Sequence, residues 1–292
     1  MRPEPFPALD RRGLVAGALA LAVAGRAWAA NAAADLAAAE KACGGRLGVH
    51  VRDTGSGATL THRDGERFPM CSTFKALLVG RVLARVDRGE MSLAARVAYG
   101  RADLLPVSPI TGRHVADGGL PLADLCAAAI QYSDNAAANL LLRETGGPAA
   151  LTAWLRAQGD AVTRLDRNEP SLNSAIAGDP RDTSTPAAMA ATFGRLTLGE
   201  TLKPASREHL RTWLDGNTTG AERLRAGLPK DWIVGDKTGS NGTHTANDVA
   251  LIRPPGRAPL TAAVFVTGAR SQDAAVAAIA EVGRIIVRSR SA

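Results

Sequence analysis

Ser72 and Lys75 form the first pair of side chains that could act together in chemistry. They are three residues apart at the start of an apolar segment, residues 76–86, which is expected to be helical, so both lie on one helix face. Serine becomes a nucleophile only beside a base, and lysine can be that base when burial or a nearby cation lowers its pKa. The helix start would also stabilise a developing oxyanion. A serine N-cap followed by a surface lysine has the same spacing, so this motif alone is weak.

Two further short motifs carry hydroxyl, amide and ammonium groups. Ser133-Asp134-Asn135 lies between two segments with helical periodicity, residues 122–130 and 136–143, and Lys237-Thr238-Gly239 ends an apolar strand segment. Taken singly, the first is typical of a helix N-cap and the second of a strand that enters a turn. All three motifs arise together by chance about once in several thousand chains of this composition, so the set is informative although each member is weak.

This set of motifs is the one found in class A β-lactamases and penicillin-binding proteins. Over most of its length the chain resembles a class A serine β-lactamase. The segment Arg167–Asn173, with the sequence RNEPSLN, resembles the start of that family's omega-loop, and Asp182 is placed to pair with Arg167. Penicillin-binding proteins generally lack the glutamate that Glu169 matches, so this loop favours the β-lactamase. The resemblance also implies a cis peptide bond between Glu169 and Pro170.

The resemblance implies that the β-lactam amide is hydrolysed in two steps, beginning with acylation of the protein. Ser72 would attack the lactam carbonyl, and the backbone N–H groups of Ser72 and Ser240 would form the oxyanion hole. Two candidates remain for the base in this step, Lys75 acting directly and Glu169 acting through a water. Ser133 would then pass a proton to the departing lactam nitrogen.

The remaining catalytic roles concern proton supply and the second step. Lys237 would hold Lys75 and Ser133 in reactive protonation states. Glu169 and Asn173 would position and activate the water that hydrolyses the acyl ester. That step separates an enzyme that turns over from a target that stays acylated.

The substrate contacts follow from the same resemblance. Asn135 is expected to hydrogen-bond the amide of the substrate's side chain. Lys237, Thr238 and Ser240 would bind the carboxylate next to the lactam ring. Because Ser240 resembles the residue of members that handle cephalosporins well, penicillins and cephalosporins are the expected substrates.

Two positions near the cleft depart from the common family pattern. Some members carry an arginine on the strand after K-T-G, where this chain has Ala246. Arg223 matches an alternative placement of that guanidinium and is therefore a candidate substrate-binding residue; the other interpretation is a surface arginine. Val107 stands where many members place an aromatic residue at the cleft mouth, so stacking on the substrate should be weaker there.

The three cysteines, Cys43, Cys71 and Cys126, are too few for a disulfide framework. Cys71 precedes the nucleophile as in carbapenem-hydrolysing members, but Asn241 stands where those members have the partner cysteine. Cys126 likewise resembles one cysteine of a disulfide found in some members, but Val79 stands where its partner cysteine would be. We therefore expect free, mostly buried thiols without a catalytic role.

The elements around these motifs predict two lobes. Apolar patterning predicts strands at about residues 47–51, 232–237, 248–252 and 260–267, with helices at about 31–42 and 272–287 and a mostly helical region over 72–215. Strands near both ends of a chain are expected to meet in one sheet. The resemblance assigns this pattern to the α/β two-lobed serine β-lactamase/transpeptidase-like fold, in which an antiparallel sheet flanked by terminal helices joins an all-helical lobe.

The same pattern predicts where the lobes and their boundaries lie. Residues 30–71 and 214–292 would form the discontinuous α/β lobe. Residues 72–213 would form the helical lobe, including the omega-loop at about residues 167–182. A ligand cleft is expected at the junction of the two.

Composition restricts the partners of this 292-residue chain. A content of 46% apolar and 22% charged residues excludes a disordered protein. The net charge of +7 is spread along the chain without an aromatic-interleaved basic stripe, so no nucleic-acid partner is expected. Neither C-x-x-C nor H-E-x-x-H spacing occurs, so no metal or other cofactor is expected. The expected partner is a small-molecule β-lactam bound by a monomer.

The first residues have the pattern of an export signal. Arg11 and Arg12 precede an uncharged segment, residues 13–25, and Ala27-Trp28-Ala29 is suited to cleavage before Ala30. The arginine pair resembles a twin-arginine signal, although a general secretory signal has almost the same pattern. Residues 1–29 are therefore expected to be a cleaved signal peptide that directs the chain to the periplasm. No later apolar segment is long enough to be a membrane anchor.

Two other functions use the same motifs. A penicillin-binding D,D-peptidase would use Ser72, Lys75 and Lys237 on cell-wall peptides, but Glu169 and the omega-loop argue against it. A non-catalytic β-lactam sensor would be acylated and then stall, but a sensor needs a membrane connection. Both alternatives predict a long-lived acyl-enzyme.

Overall fold

Five antiparallel strands form the main sheet in a computed structural model that describes residues 32–291. The strands of these residues are β1 Arg46–Asp53, β2 Thr59–His62, β3 Phe68–Pro69, β4 Arg96–Ala98, β5 Gly119–Pro121, β6 Thr183–Ser184, β7 Ile233–Ser240, β8 Ala246–Arg253 and β9 Leu260–Thr267. The order in the main sheet is β2-β1-β9-β8-β7, so strands from both ends of the chain pair at its centre. Two-stranded ladders, β3 with β6 and β4 with β5, complete the strand pairing.

Helices cover both faces of this sheet. Those of the described residues are α1 at residues 32–43, α2 Phe74–Asp87, α3 Leu122–Gln131, α4 Asn135–Glu144, α5 Gly147–Ala157, α6 Pro186–Thr197, α7 Pro204–Asp215, α8 Leu224–Gly227 and α9 Gln272–Ser291. Helices α1 and α9 lie on the outer face, and α2 to α7 form the helical part on the inner side.

Alternation along the strands explains the two layers. On β8, Val249 and Leu251 pack in the core shared with α2 and α6, whereas Ala250 and Ile252 pack in the core shared with α1 and α9. Successive strand residues point to opposite faces, so one apolar strand supplies both cores. The sheet is therefore buried on both sides, and β7 is one of its two edge strands.

Helix α2 is the central helix of the helical part. Its buried residues include Phe74, Leu77 and Leu78, all fully buried, and it packs against α3, α4, α6 and α7. Burying large apolar side chains stabilises each by about 1.5–3 kcal/mol relative to exposure. The residues at the start of α2 are consequently held on a rigid element.

The predicted architecture is confirmed. All four predicted strands and the helical region are present, and β7 continues through the K-T-G motif to Ser240. The short edge strand β2 and the two-stranded ladders, two to four residues per strand, carry too little pattern to be predicted. The expected signal peptide lies outside the described residues. Among residues 32–291, no helix combines the length and the apolar character needed to cross a membrane.

Candidate active site

Ser72 lies in a single 3-10 turn, Cys71–Thr73, that leads directly into α2. Asn247 of β8 donates through Nδ2 to the carbonyl oxygens of the two residues before Cys71, at 2.8 and 2.9 Å. Cys71 has a φ of +44°, a left-handed value that strains a residue with a Cβ. These hydrogen bonds therefore hold the backbone just before the predicted nucleophile against strand β8.

Lys75 and Glu169 form a buried ion pair next to Ser72. Lys75 Nζ lies 3.1 Å from Glu169 Oε1, and the Ser72 hydroxyl donates to that same oxygen at 3.1 Å. Lys75 Nζ also donates to the Ser133 carbonyl oxygen at 2.7 Å and to Asn135 Oδ1 at 2.6 Å. Burial lowers the pKa of Lys75, and the Glu169 carboxylate opposes that shift. Both candidate bases thus belong to one hydrogen-bonded cluster with the nucleophile.

The Ser133-Asp134-Asn135 motif forms the turn before α4. Asp134 caps the helix by accepting from Ala137 N at 2.9 Å, and its other oxygen accepts from Thr111 N at 2.9 Å. Ser133 has a φ of +55°. The buried aspartate therefore has a structural role, and it holds Ser133 and Asn135 towards the cleft on either side of it.

Lys237 occupies the opposite wall, on β7. Its Nζ donates to Ser133 Oγ at 3.0 Å and to the Thr238 carbonyl oxygen at 2.9 Å. Burial lowers the pKa of Lys237 well below its usual value, and the nearby Lys75 and Arg223 cations lower it further. Since Ser133 Oγ accepts from Lys237, its own proton is free to be donated to a group in the cleft.

Gly239 allows β7 to lie against the backbone of the nucleophile. A Cβ at this position would lie 2.7 Å from the Met70 carbonyl oxygen and 3.2 Å from Ser72 N. Any larger residue would push the strand away. Ser72 and Ser240 both line the wall of the cleft.

Hydrogen bonds and an ion pair hold the omega-loop in place on both sides of Glu169. Glu169 N donates to Asn139 Oδ1 at 3.0 Å, and Asn139 Nδ2 donates back to the Glu169 carbonyl oxygen at 2.9 Å. Asn173 Nδ2 donates to Glu169 Oε2 at 2.6 Å. The expected Arg167–Asp182 pair is present at 2.6 Å between Nε and Oδ2, and the peptide bond after Glu169 is cis, as expected.

These groups surround a cleft of about 470 Å³ between β7 and the helical part. Lys75, Glu169 and Lys237 lie behind its surface, and all three are almost completely buried. Seven of the predicted catalytic and substrate-binding residues line the cleft directly: Ser72, Ser133, Asn135, Asn173, Arg223, Thr238 and Ser240. The structure therefore brings the whole predicted set together.

Arg223 is part of the cleft wall and is half-buried. Its Nη1 donates to the carbonyl oxygens of Gly239 at 2.8 Å and Asn247 at 2.5 Å. The Arg223 guanidinium has five N–H donors, so those that do not bind these two carbonyl oxygens remain for a bound anion. At the cleft mouth, the side chain of Val107 is exposed, with 62% of its surface accessible.

All three cysteines are buried and free, as expected. Burial raises the pKa of the Cys71 thiol to about 12, and the neighbouring Glu169 carboxylate acts in the same direction. Burial also raises the pKa of Cys126. Neither of these two thiols is therefore ionised at neutral pH.

Two residues of the site were not singled out in the sequence. Asn139 lies four residues after Asn135 on α4, a spacing that places both on one helix face and could have identified it. Thr219 lines the cleft and hydrogen-bonds Thr238 between hydroxyl oxygens at 2.5 Å. It lies in an irregular segment, where no periodic pattern could have placed it.

A pair of buried carboxyl groups lies behind β7. Asp236 is bound by Arg225 at 2.9 Å from Nε, and Asp248 accepts from Leu224 N at 3.2 Å. Burial raises the pKa of Asp248 well above its usual value, and the adjacent Asp236 raises it further. Asp248 therefore keeps its proton to higher pH than an ordinary aspartate, and the protonated group can donate to Asp236.

We expect an Asp248→Asn variant to be more stable than the parent, by a margin that grows as pH rises above about 4. Because the pKa of Asp248 is raised by folding, the folded protein keeps a proton that the unfolded chain loses as pH rises. The free energy of unfolding of the parent therefore decreases with pH, by up to about 1.4 kcal/mol per pH unit, until folded Asp248 itself ionises. Asparagine keeps a donor and cannot ionise. Urea unfolding at pH 5, 7 and 9, with the exposed Asp231→Asn as control, measures this margin. Equal pH slopes in Asp248→Asn and the parent would contradict a protonated Asp248.

No cluster of three or more His, Cys, Asp or Glu side chains suited to a metal ion occurs in the part of the chain that the structure describes.

Comparison with known proteins gives consistent matches over nearly the whole chain. Residues 31–289 match the profile of the Beta-lactamase enzyme family. Beta-lactamase L2 of Stenotrophomonas maltophilia is 52% identical over 262 residues, covering 89% of this chain and 86% of that protein. The carbapenem-hydrolyzing beta-lactamase KPC of Klebsiella oxytoca is 51% identical over 235 residues, covering 80% of each.

Solved structures match equally well. An ancestral class A beta-lactamase (GNCA) superposes with a TM-score of 0.86 at 59% identity, covering 88% of this chain and 99% of that one. A beta lactamase from Xanthomonas campestris has a TM-score of 0.87 at 49% identity, covering 89% and 97%.

Proposed function

The chain belongs to the class A serine β-lactamase family and hydrolyses β-lactams, and on this premise we propose which of its residues perform each step. The observation that carries the proposal is the hydrogen bond from the Ser72 hydroxyl to Glu169 Oε1, at 3.1 Å, with Lys75 Nζ at 3.1 Å from the same oxygen. This contact supplies a path for the proton that the nucleophile must lose.

In acylation, Ser72 Oγ attacks the lactam carbonyl carbon and its proton passes to Glu169. The N–H groups of Ser72 and Ser240 stabilise the oxyanion. When the C–N bond breaks, Ser133 donates its proton to the lactam nitrogen and is reprotonated from Glu169 through Lys75 Nζ, which lies 3.1 Å from Glu169 Oε1 and 3.4 Å from Ser133 Oγ. Glu169 is then again a carboxylate before deacylation. Lys237, which already donates to Ser133 Oγ, stabilises the negative charge that develops there.

In deacylation, Glu169 removes a proton from a water that attacks the ester carbonyl. The ester C–O bond then breaks, and the proton returns to Ser72 Oγ. Asn173 holds Glu169 Oε2 at 2.6 Å and Asn139 holds its backbone, so the carboxylate is positioned before substrate arrives. The neutral amide of Asn139 fixes this geometry without adding charge.

Substrate binding is proposed to use two ends of the cleft. Asn135 contacts the amide of the acyl side chain. Thr238, Ser240, Lys237 and Arg223 bind the ring carboxylate, since ammonium, guanidinium and hydroxyl donors converge there. Penicillins and cephalosporins share these groups, and we propose them as the substrates of a monomeric enzyme.

Replacing Arg223 by glutamine is expected to raise KM and to lower kcat/KM about 10- to 100-fold for carboxylate-bearing β-lactams, the size of one lost hydrogen bond to a charged group. The loss should disappear with a β-lactam ester, which lacks the carboxylate. Steady-state kinetics on both substrates, with the exposed Arg270→Gln as control, test this. An equal loss on acid and ester would show that Arg223 only supports β7.

We also propose that residues 1–29 direct export to the periplasm and are removed near Ala29. The support is the order of charged, apolar and small residues in this segment. Mass spectrometry of the periplasmic protein gives the cleavage site, and an Arg11→Lys, Arg12→Lys variant separates the routes: accumulation in the cytoplasm indicates the twin-arginine route, whereas unchanged export indicates the general one.

A further inference from the structure

A second cleft, of about 460 Å³, lies between the inner face of β1 and the C-terminal half of α6. It shares no lining residue with the catalytic cleft. Its cationic or titratable residues are His50, Arg52 and Arg195, and its apolar wall includes Ala190, Ala191 and Leu198. We propose that this cleft binds a small organic anion, with a phosphate or carboxylate head and a compact apolar body.

The register of the sheet places the basic groups on one side of the cleft. His50 and Arg52 are two residues apart on β1, so both point to the face that α6 covers. Arg52 pairs across the sheet with Thr261 of β9. A Cβ on Gly194 of α6 would lie 3.2 Å from Thr261 Cγ2. The helix therefore reaches the sheet beside Arg52, and the next helical residue, Arg195, lines the same cleft.

Arg195 has an unused donor. Its Nη2 donates to Thr192 Oγ1 at 2.8 Å, whereas its Nε is buried and has no hydrogen-bond partner. A buried guanidinium N–H without a partner is unfavourable, because it has lost its water without gaining an acceptor. Nε has almost no accessible surface, so an anion in the cleft would become its acceptor once the guanidinium turns towards the cleft, whose wall Arg195 already lines.

The other basic groups are also available to a ligand. Arg52 is exposed and makes no ion pair or side-chain hydrogen bond with any residue from 32 to 291. His50 Nδ1 lies 2.9 Å from Asp64 Oδ2, which leaves Nε2 as its remaining polar atom. Two carboxylates are hydrogen-bonded to these groups or to their partners: Asp64 binds His50, and Asp160 accepts at 2.8 Å from Thr192, the residue to which Arg195 donates.

Neither of these carboxylates lines the cleft, so no acidic group there competes with a bound anion. Two arginines can bind one phosphate or carboxylate through charge-assisted, bidentate hydrogen bonds. The apolar wall would contact the body of the same ligand, which makes an aromatic or aliphatic anion a better fit than an inorganic one.

Isothermal titration calorimetry tests the proposal. The mature protein is titrated at constant ionic strength with phenyl phosphate, inorganic phosphate and phenol. We expect phenyl phosphate to bind at least threefold more tightly than inorganic phosphate, and phenol not to bind. Arg52→Gln and Arg195→Gln should each weaken phenyl phosphate binding at least tenfold. Arg113→Gln, which removes an exposed arginine elsewhere, should leave it unchanged.

Location and folding are checked separately. The NMR signals of the His50 ring, assigned with a His50→Gln variant, should shift on titration with phenyl phosphate. Since Arg52 is exposed, its variant should unfold at the parent's temperature, which keeps the test valid even if Arg195→Gln is unstable. The proposal is overturned if the His50 signals do not move or if Arg52→Gln binds phenyl phosphate as tightly as the parent does. It is also overturned if phenyl phosphate inhibits β-lactam hydrolysis competitively with an inhibition constant equal to its measured Kd, since it would then bind in the catalytic cleft. None of these outcomes depends on the catalytic roles proposed above.

Discussion

A Glu169→Ala variant is expected to be acylated at Ser72 and to remain acylated. The variant loses the carboxylate that would activate the deacylating water, and removing a general base lowers a rate by about 10²- to 10⁴-fold. Acylation should be slowed less, because Lys75, whose pKa burial lowers, remains beside the nucleophile. The steady state would therefore shift from free enzyme to acyl-enzyme.

Stopped-flow absorbance and intact mass with a penicillin measure both steps in this variant. Glu200→Ala, which removes an exposed carboxylate on a distant loop, is the matched control and should keep full activity. Turnover of Glu169→Ala at the parent's rate would refute the role assigned to Glu169. Loss of acylation together with deacylation would instead show that Lys75 cannot replace Glu169 as the base of acylation.

A Ser72→Ala variant is expected to form no covalent adduct and to lose at least about 10⁴-fold in kcat, because the attacking oxygen itself is removed. The side chain makes one hydrogen bond, to Glu169, so the fold should survive. The thermal unfolding midpoint checks this. A persistent mass increase in the variant would show that another group is the nucleophile.

Ser133→Ala provides the comparison for this experiment. Ser133 lies in the same cleft and hydrogen-bonds Lys237, but it is proposed to donate a proton and not to attack. Its variant should therefore still form the adduct, more slowly than the parent. Adduct formation in Ser133→Ala and its absence in Ser72→Ala together separate the nucleophile from the proton donor.

The fold could be predicted where apolar periodicity is long and uninterrupted. The strands β8 and β9 each extend over eight residues with apolar side chains on both faces, and their positions were predicted within about two residues. Strand β2 could not be predicted, since its four residues alternate weakly at the sheet edge. Short motifs in a fixed order predicted the residues that the structure brings together around the cleft, because such motifs are specific to chemistry and not to packing.

The rest of the site depends on tertiary approach, which the sequence does not display. Gly239 is required by the carbonyl oxygen of Met70, a residue 169 positions earlier in the chain. The buried pair of Asp236 and Asp248 is formed by adjacent strands whose pairing sets which carboxyl groups meet. Local pattern cannot specify such contacts, because they depend on how the sheet and the helical part pack together.

Whether the acyl-enzyme is hydrolysed can be measured by mixing the mature protein with an excess of a chromogenic cephalosporin and following product and intact mass together. We expect many equivalents of hydrolysed product per enzyme, with little adduct remaining on Ser72 when the substrate is consumed. One equivalent of product with a stable adduct would instead indicate a protein that is acylated but does not turn over.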